Sequence, residues 1–246
     1  MIRRILVVGG ANGIGLSIAE EMATRSTTEV VYIVDKDELA LEYRHPKIIS
    51  FRFDLTSMDY SFFDRFNDID SLMITAGFGK LAHFRDIPEQ YIMDSFNVNT
   101  IPTLRLIKRF YGKLEANNDF YCGVMVSISG WMSSPLFAVY GSTKAALKSF
   151  IESVNVELIK TGSINRILNV SPGSIKGTSF DNGKTDLSMT RELTKEIIRH
   201  LEDKDDLFIP KYEEVYKEVL QRYKDDFRKE GLHSYDYKMN SGRSIN

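Results

Sequence analysis

Cys122 is the only cysteine in 246 residues, so neither a disulfide within the chain nor a thiolate metal cluster is available. A reducing, cytoplasmic setting is the default expectation for such a chain. The four histidines, His45, His83, His200 and His233, are scattered, and none stands at a metal-ligand spacing from another histidine or acid. No run of about 18 apolar residues exists to span a bilayer. The apolar stretch in MIRRILVVGGANGIG is too short for a signal peptide and ends in glycines. A long basic block is also missing. With a net charge of −2 and a pI of about 6.1, nothing asks for nucleic acid or an anionic membrane. Gly/Ser-rich linkers and internal repeats are absent, which makes one domain the simplest organisation.

What remains is an ordinary globular composition, 43% apolar and 27% charged, sufficient for a sizeable core. Short β-branched runs at 3–9, 29–35, 48–54, 70–77, 121–127 and 165–171 read as strands, several apolar almost throughout. Helical patterns lie between them, near 14–24, 57–66, 88–113 and 140–160. A last pair, a helix near 190–202 and a strand at 206–210, extends the series. Strand and helix in alternation imply parallel strands with right-handed crossovers. The expected fold is therefore α/β, a Rossmann-type doubly wound parallel sheet of about seven strands with helices on both faces. Residues 1–210 would form this domain, with a mobile lid at about 178–200.

The tail, 211–246, differs. Tyr212, Val215, Tyr216, Val219, Leu220, Tyr223 and Phe227 fall at steps of three and four, an amphipathic helix over 211–230. Its polar face balances six basic against six acidic residues, so it is expected to pack on its own domain or a partner subunit rather than a membrane. The final sixteen residues are polar and are expected to be mobile.

Two stretches carry chemistry. VVGGANGIG follows the first strand and opens a helix, with Gly9, Gly13 and Gly15 in a Gly-x3-Gly-x-Gly spacing. Such glycines allow a tight turn and let a pyrophosphate reach the N–H groups of a helix N-terminus. Asn12 and Ile14 lie within the same loop. Asp35 ends the second strand, where a carboxylate accepts hydrogen bonds from ribose hydroxyls and repels a 2′-phosphate. NAD is thus preferred, with NADP left open by the adjacent Lys36; a helix N-cap is the plainer use of Asp35. The second stretch is YGSTKAAL, a tyrosine and lysine four apart. The spacing recurs at Tyr32/Lys36 and Tyr43/Lys47, so it decides nothing alone. The first rival straddles a strand end, where four residues span about 13 Å. The second encloses Pro46, which disfavours a helix. Tyr140 and Lys144 alone open a long helical pattern.

Together these motifs resemble the short-chain dehydrogenase/reductase family, in order, from Ile5 to about Thr178. Gly9, Gly13 and Gly15 match its nucleotide loop, and Asp54 with Leu55 its adenine contact. Ala76 and Gly77 match the end of its Asn-Asn-Ala-Gly segment. Asn99, Ser127, Tyr140 and Lys144 match its active-site residues. Pro172 and Gly173 match the turn beside the nicotinamide, with Ile175 and Thr178 behind. Ser127 is preferred to Ser129 because relatives place the serine thirteen residues before the tyrosine, with a glycine ten before and a proline five before. Gly130 and Pro135 complete that pattern. Departures are Val8 in place of threonine, Ile74-Thr75 in place of two asparagines, and Thr178 one residue late.

The resemblance implies interconversion of a secondary alcohol and its ketone. Tyr140 would be the acid/base, Lys144 would lower its pKa and bind the nicotinamide ribose, Ser127 would hold the substrate oxygen, and Asn99 a relay water. Phe78, Phe84, Trp131, Met132, Phe137 and Phe180 are candidates for an apolar substrate pocket or for core. A homodimer or homotetramer through the helices at 97–113 and 140–160 is also implied. An NADP-dependent carbonyl reductase and a non-catalytic nucleotide sensor on the same fold stay open.

Overall fold

The computed structural model describes residues 1–178, 180, 185–242 and 245. Seven strands, β1 Arg4–Val8, β2 Val30–Asp35, β3 Ile48–Arg52, β4 Ser71–Ile74, β5 Tyr121–Met125, β6 Ile167–Val170 and β7 Leu207–Phe208, lie within the expected runs. All pair in parallel, in the order β3-β2-β1-β4-β5-β6-β7. The order reverses between β1 and β4, and the crevice outside the carboxyl ends there is where such sheets hold ligands.

Both faces of the sheet are covered, which is why its strands read as unbroken apolar runs. Helices α1 Gly13–Thr24 and α5 Leu187–Glu202 bury Ile18, Met22, Ile197 and Ile198 against one face. On the other, α3 Ile101–Glu115 and α4 Ala138–Lys160 bury Leu106, Phe110, Leu147 and Ile151. The pattern expected as one helix over 88–113 is two, because α2 Glu89–Asn99 ends before Pro102, which sits in the first turn of α3.

Two expectations need correction. The β3–β4 connection is a 3₁₀ segment, Ser61–Phe66, rather than an α-helix over 57–66. Phe62, Phe63 and Phe66 turn inward there onto Phe51, Phe53 and Tyr60, and aromatic packing fills the space of a longer helix. The tail is more ordered than its polarity suggests. After Lys211, which has left-handed backbone geometry, comes a π-helical turn Tyr212–Tyr216, then α6 Lys217–Asp225 and α7 Phe227–Met239. The helix breaks at Asp226, whose carboxylate accepts from the N–H groups of Arg228 and Lys229 at 3.0 and 3.1 Å and so caps α7. Residues 179 and 181–184 of the expected lid lie outside the described residues; 187–202 is α5. Among the described residues no helix is long and apolar enough to cross a membrane.

Candidate active site

The chain leaves β1 into Gly9, at φ +91°, whose N–H donates to Val34 O at 2.8 Å. A Cβ at Gly9 would lie 2.4 Å from Ala76 N, and one at Gly15 would lie 2.2 Å from Gly9 O, so close packing requires both glycines. Gly13, at φ +56°, begins α1 after Asn12, and its missing Cβ would meet nothing nearer than 3.8 Å. The open side of the loop therefore faces the cleft at the start of α1, where the Gly13 N–H donates to Thr185 Oγ1 at 3.0 Å, a hydroxyl standing where an anionic oxygen would be held. Thr75, one of the departures noted above, braces the loop by donating to Gly9 O at 2.9 Å. This cradle fits a pyrophosphate.

The cleft runs on to Asp35, Asp54 and Leu55 at one end and to Ser127 and Tyr140 at the other, enclosing about 1220 Å³. Asp35 starts no helix, which removes the N-cap reading. Its oxygens accept from Ala11 N at 3.0 Å and Asp37 N at 3.1 Å, joining the glycine loop to the end of β2. The backbone N–H and hydroxyl of Thr56, each 2.8 Å away, hold the Asp54 carboxyl below the usual carboxylate range. Glu42 and Tyr43 also line this end, carried in by a 3₁₀ turn that no motif signals.

At the other end, Tyr140 and Lys144 stand on the first turns of α4, both buried. Lys144 Nζ donates to Met125 O at 2.8 Å, and burial lowers its pKa from 10.5 to about 7. Burial pushes the Tyr140 phenol up to about 12, while hydrogen bonding with Ser127 acts in the opposite direction. The expectation that Lys144 would depress Tyr140 is not met in this state. Desolvation disfavours the charged form of each group, and so shifts both toward neutrality.

Ser127 Oγ accepts from Ser129 N at 3.1 Å and stands 3.5 Å from Pro172 O, at the mouth of the Pro172-Gly173 turn. Ser129 lines the same wall, with the Ser134 hydroxyl 3.3 Å from its own. Asn99, fully buried at the end of α2, clamps the loop after β4. Its Oδ1 accepts from Phe78 N at 2.9 Å, and its Nδ2 donates to Phe78 O at 2.8 Å and Thr143 Oγ1 at 3.2 Å. Both Asn99 and Lys144 sit behind Gly77, at 3.2 and 3.4 Å from where a Cβ would stand. Ile14, Ala76, Gly77, Ile175 and Thr178 join the glycines in lining the cleft. Every cofactor-side residue marked in the sequence thus shares one cavity, and Asn99 and Lys144 back it.

The rival pairs go elsewhere. Tyr32 packs among Phe51 and Phe66, and Lys47 Nζ donates to Arg25 O at 2.6 Å. Cys122 is buried core, its thiol pushed up to about 12 by desolvation. Among the described residues no group of histidines, cysteines and acids is arranged to hold a metal. Of the aromatic-pocket candidates, Phe78, Met132, Phe137 and Phe180 line the cleft, Phe84 is exposed, and Trp131 donates to Ser171 Oγ at 2.9 Å. The tail supplies what the motifs missed. Val215, Tyr216, Val219, Arg222, Glu230 and Lys238 line the same cleft.

The sequence profile of the family described as short chain dehydrogenase matches residues 3–187. The chain is a short-chain dehydrogenase/reductase. An uncharacterized oxidoreductase of Staphylococcus epidermidis is 26% identical over 192 residues, covering 73% of this chain and 83% of that protein. The estradiol 17-beta-dehydrogenase 11 of Mus musculus is 26% identical over 223 residues, covering 84% and 74%. Among solved structures, a short-chain dehydrogenase/reductase of Burkholderia phymatum in complex with NAD superposes with a TM-score of 0.77. It is 16% identical, with 92% and 94% of the two chains covered. One of Burkholderia cenocepacia in complex with NADP gives 0.76 at 20% identity, covering 94% and 97%. These structures carry the fold, and the family match makes this short-chain dehydrogenase/reductase an oxidoreductase.

Proposed function

We propose that this short-chain dehydrogenase/reductase interconverts a secondary alcohol and its ketone with a nicotinamide dinucleotide, NAD preferred, in the cytoplasm. The observation that carries the reading is one cleft with the glycine cradle of α1 at its middle and Tyr140, Ser127 and Lys144 at its end. The solved relatives with NAD and with NADP support the cofactor class. When bound, the nicotinamide accepts or gives the hydride.

The chain's own groups handle the oxygen. With its pKa near 12, Tyr140 keeps its proton at neutral pH and is ready to give it to a ketone oxygen. Ser127, beside it, donates to the same oxygen. Lys144, titrating near 7, can hold positive charge behind the tyrosine or release it. In the alcohol direction the phenolate of Tyr140, favoured when Lys144 is protonated, takes the hydroxyl proton. Asp35 stands at the ribose end as an acceptor for hydroxyls and an opponent of a 2′-phosphate.

A panel of secondary alcohols and ketones, followed by NADH and NADPH absorbance, tests the reading. Tyr140→Phe is expected to lower turnover by about 10²–10⁴-fold while nucleotide binding persists. Turnover near wild type in that variant would overturn the mechanism. Nucleotide binding with no turnover of any alcohol or ketone would favour a sensor.

A further inference from the structure

Part of the cleft wall is formed by residues beyond 187, where the family match ends. Three features of that wall concern hydrogen bonding. Tyr216, delivered by the π-helical turn, sets its hydroxyl against Gly173. A Cβ on that glycine would stand 1.7 Å from the Tyr216 oxygen, so this side chain reaches the turn facing Ser127. The hydroxyl makes no hydrogen bond among the described residues. Glu230 is only 5% exposed although it lines the cavity. Arg222 holds its carboxylate through Nε at 2.7 Å and Nη2 at 3.3 Å, across the break between α6 and α7. The hydroxyls of Ser129 and Ser134 line the same cavity, that of Ser134 accepting from Lys238 Nζ at 2.8 Å.

A buried carboxylate with one donor on each oxygen still has acceptor capacity on both. Tyr216 is half-buried in the cavity wall, so its hydroxyl is accessible to a ligand there and pairs with one that brings a hydrogen-bonding oxygen. A pocket for a plain hydrocarbon gains nothing from an ion pair and a lone hydroxyl in its wall. A pocket built around such groups rejects ligands that cannot pair with them, because those ligands leave the groups desolvated and unpaired.

We propose that Tyr216 and the Arg222–Glu230 pair read hydroxyl groups, and that the substrate is a polyhydroxylated alcohol or its ketone. The proposal rests on the alcohol–ketone reading above and narrows it. Tyr216 donates to an oxygen next to the reacting carbon, and Glu230 accepts from a hydroxyl farther along the chain.

The test compares erythritol, xylitol and sorbitol with 2-butanol, 2-pentanol and 2-hexanol, their chain-length matches. At least one polyol is expected to exceed its match by about tenfold or more in kcat/KM. Tyr216→Phe and Glu230→Gln are each expected to collapse that ratio by about tenfold, through KM. The dissociation constant for NADH and the melting temperature, measured alongside, separate lost reading from lost fold. Tyr216→Phe keeps the ring packing if Glu230→Gln does not fold. Calorimetric titration of the same polyols into the NADH-loaded protein gives a readout without turnover. Polyol binding with no turnover of any alcohol would uphold the wall and sink the proposed reaction. Turnover of the simple alcohols with no polyol preference and no polyol binding would sink the wall alone.

Discussion

Lys144 is held at the edge of neutrality by its burial, and that costs the fold stability. Its pKa falls from 10.5 to about 7. Between those values the unfolded chain binds a proton that the folded chain does not, so stability rises with pH across that window. Below about 7 both states are protonated and the full cost remains. Lys144→Met, which deletes the charge but keeps the stem, is expected to melt higher than wild type at pH 7 while losing turnover. The gap should shrink as pH rises toward 10, at up to about 1.4 kcal/mol per pH unit. Melting curves of both proteins at pH 7, 8 and 9.5 check it. A gap that widened with pH would show the wrong sign for a buried neutral amine. At the far end of the cleft, Asp35 and Asp54 form an acidic border with Lys36 the nearby cation. Asp35→Ser is expected to raise NADP affinity relative to NAD by about tenfold, near 1.4 kcal/mol. Fluorescence titration with both reduced nucleotides reads the ratio. Tighter NADP binding by the wild-type protein would remove the argument from Asp35.

At the scale of elements, the tail shows where periodicity misleads. Tyr212 to Phe227 keep their three-and-four spacing through Asp226, so nothing in the apolar pattern marks a break. The break comes from a side chain competing for backbone N–H groups, a local signal without glycine or proline. Nor does α7 present a continuous apolar face, since among the described residues Tyr235 alone of this helix reaches the cluster of Leu81, Leu136 and Phe137. It buries Glu230, Gly231 and Lys238, whose Nζ donates to Ser134 Oγ and Pro135 O, both at 2.8 Å. A helix that docks through polar and small residues reads in sequence as a solvated tail. Asp226→Ala removes the cap and is expected to cost about 1 kcal/mol, lowering the melting temperature by roughly 2–4 °C. Calorimetric scans would show it, and an unchanged melting temperature would mean that docking alone holds α7. The strands were the opposite case. Buried on both faces, they had to be apolar runs, and β1 to β7 fall within the segments that composition marks. Glycines with forced contacts, Gly9 and Gly15, were equally legible because backbone approach leaves no alternative residue.

For the whole molecule, the outer side of the α3–α4 layer exposes apolar side chains to solvent. Ile101 is 44% exposed, Val156 65% and Ile159 55%, while the opposite sides of the same helices fill the core. Val156 and Ile159 are three apart on α4 and share one face, so they form a patch rather than scattered exposure. A two-fold axis bringing α4 against its counterpart would cover this patch on both copies at once, since such an interface uses the same surface twice. Tyr140 and Lys144 begin the same helix, so covering its far half would also stiffen the element that carries them. The full chain is expected to sediment as a dimer or larger at micromolar concentration. The double substitution Val156→Glu and Ile159→Glu is expected to give monomers, because like charges would meet across the axis without partners. A wild-type protein that sediments as a monomer would refute the interface. An oligomer that survives the double substitution would place it on another face.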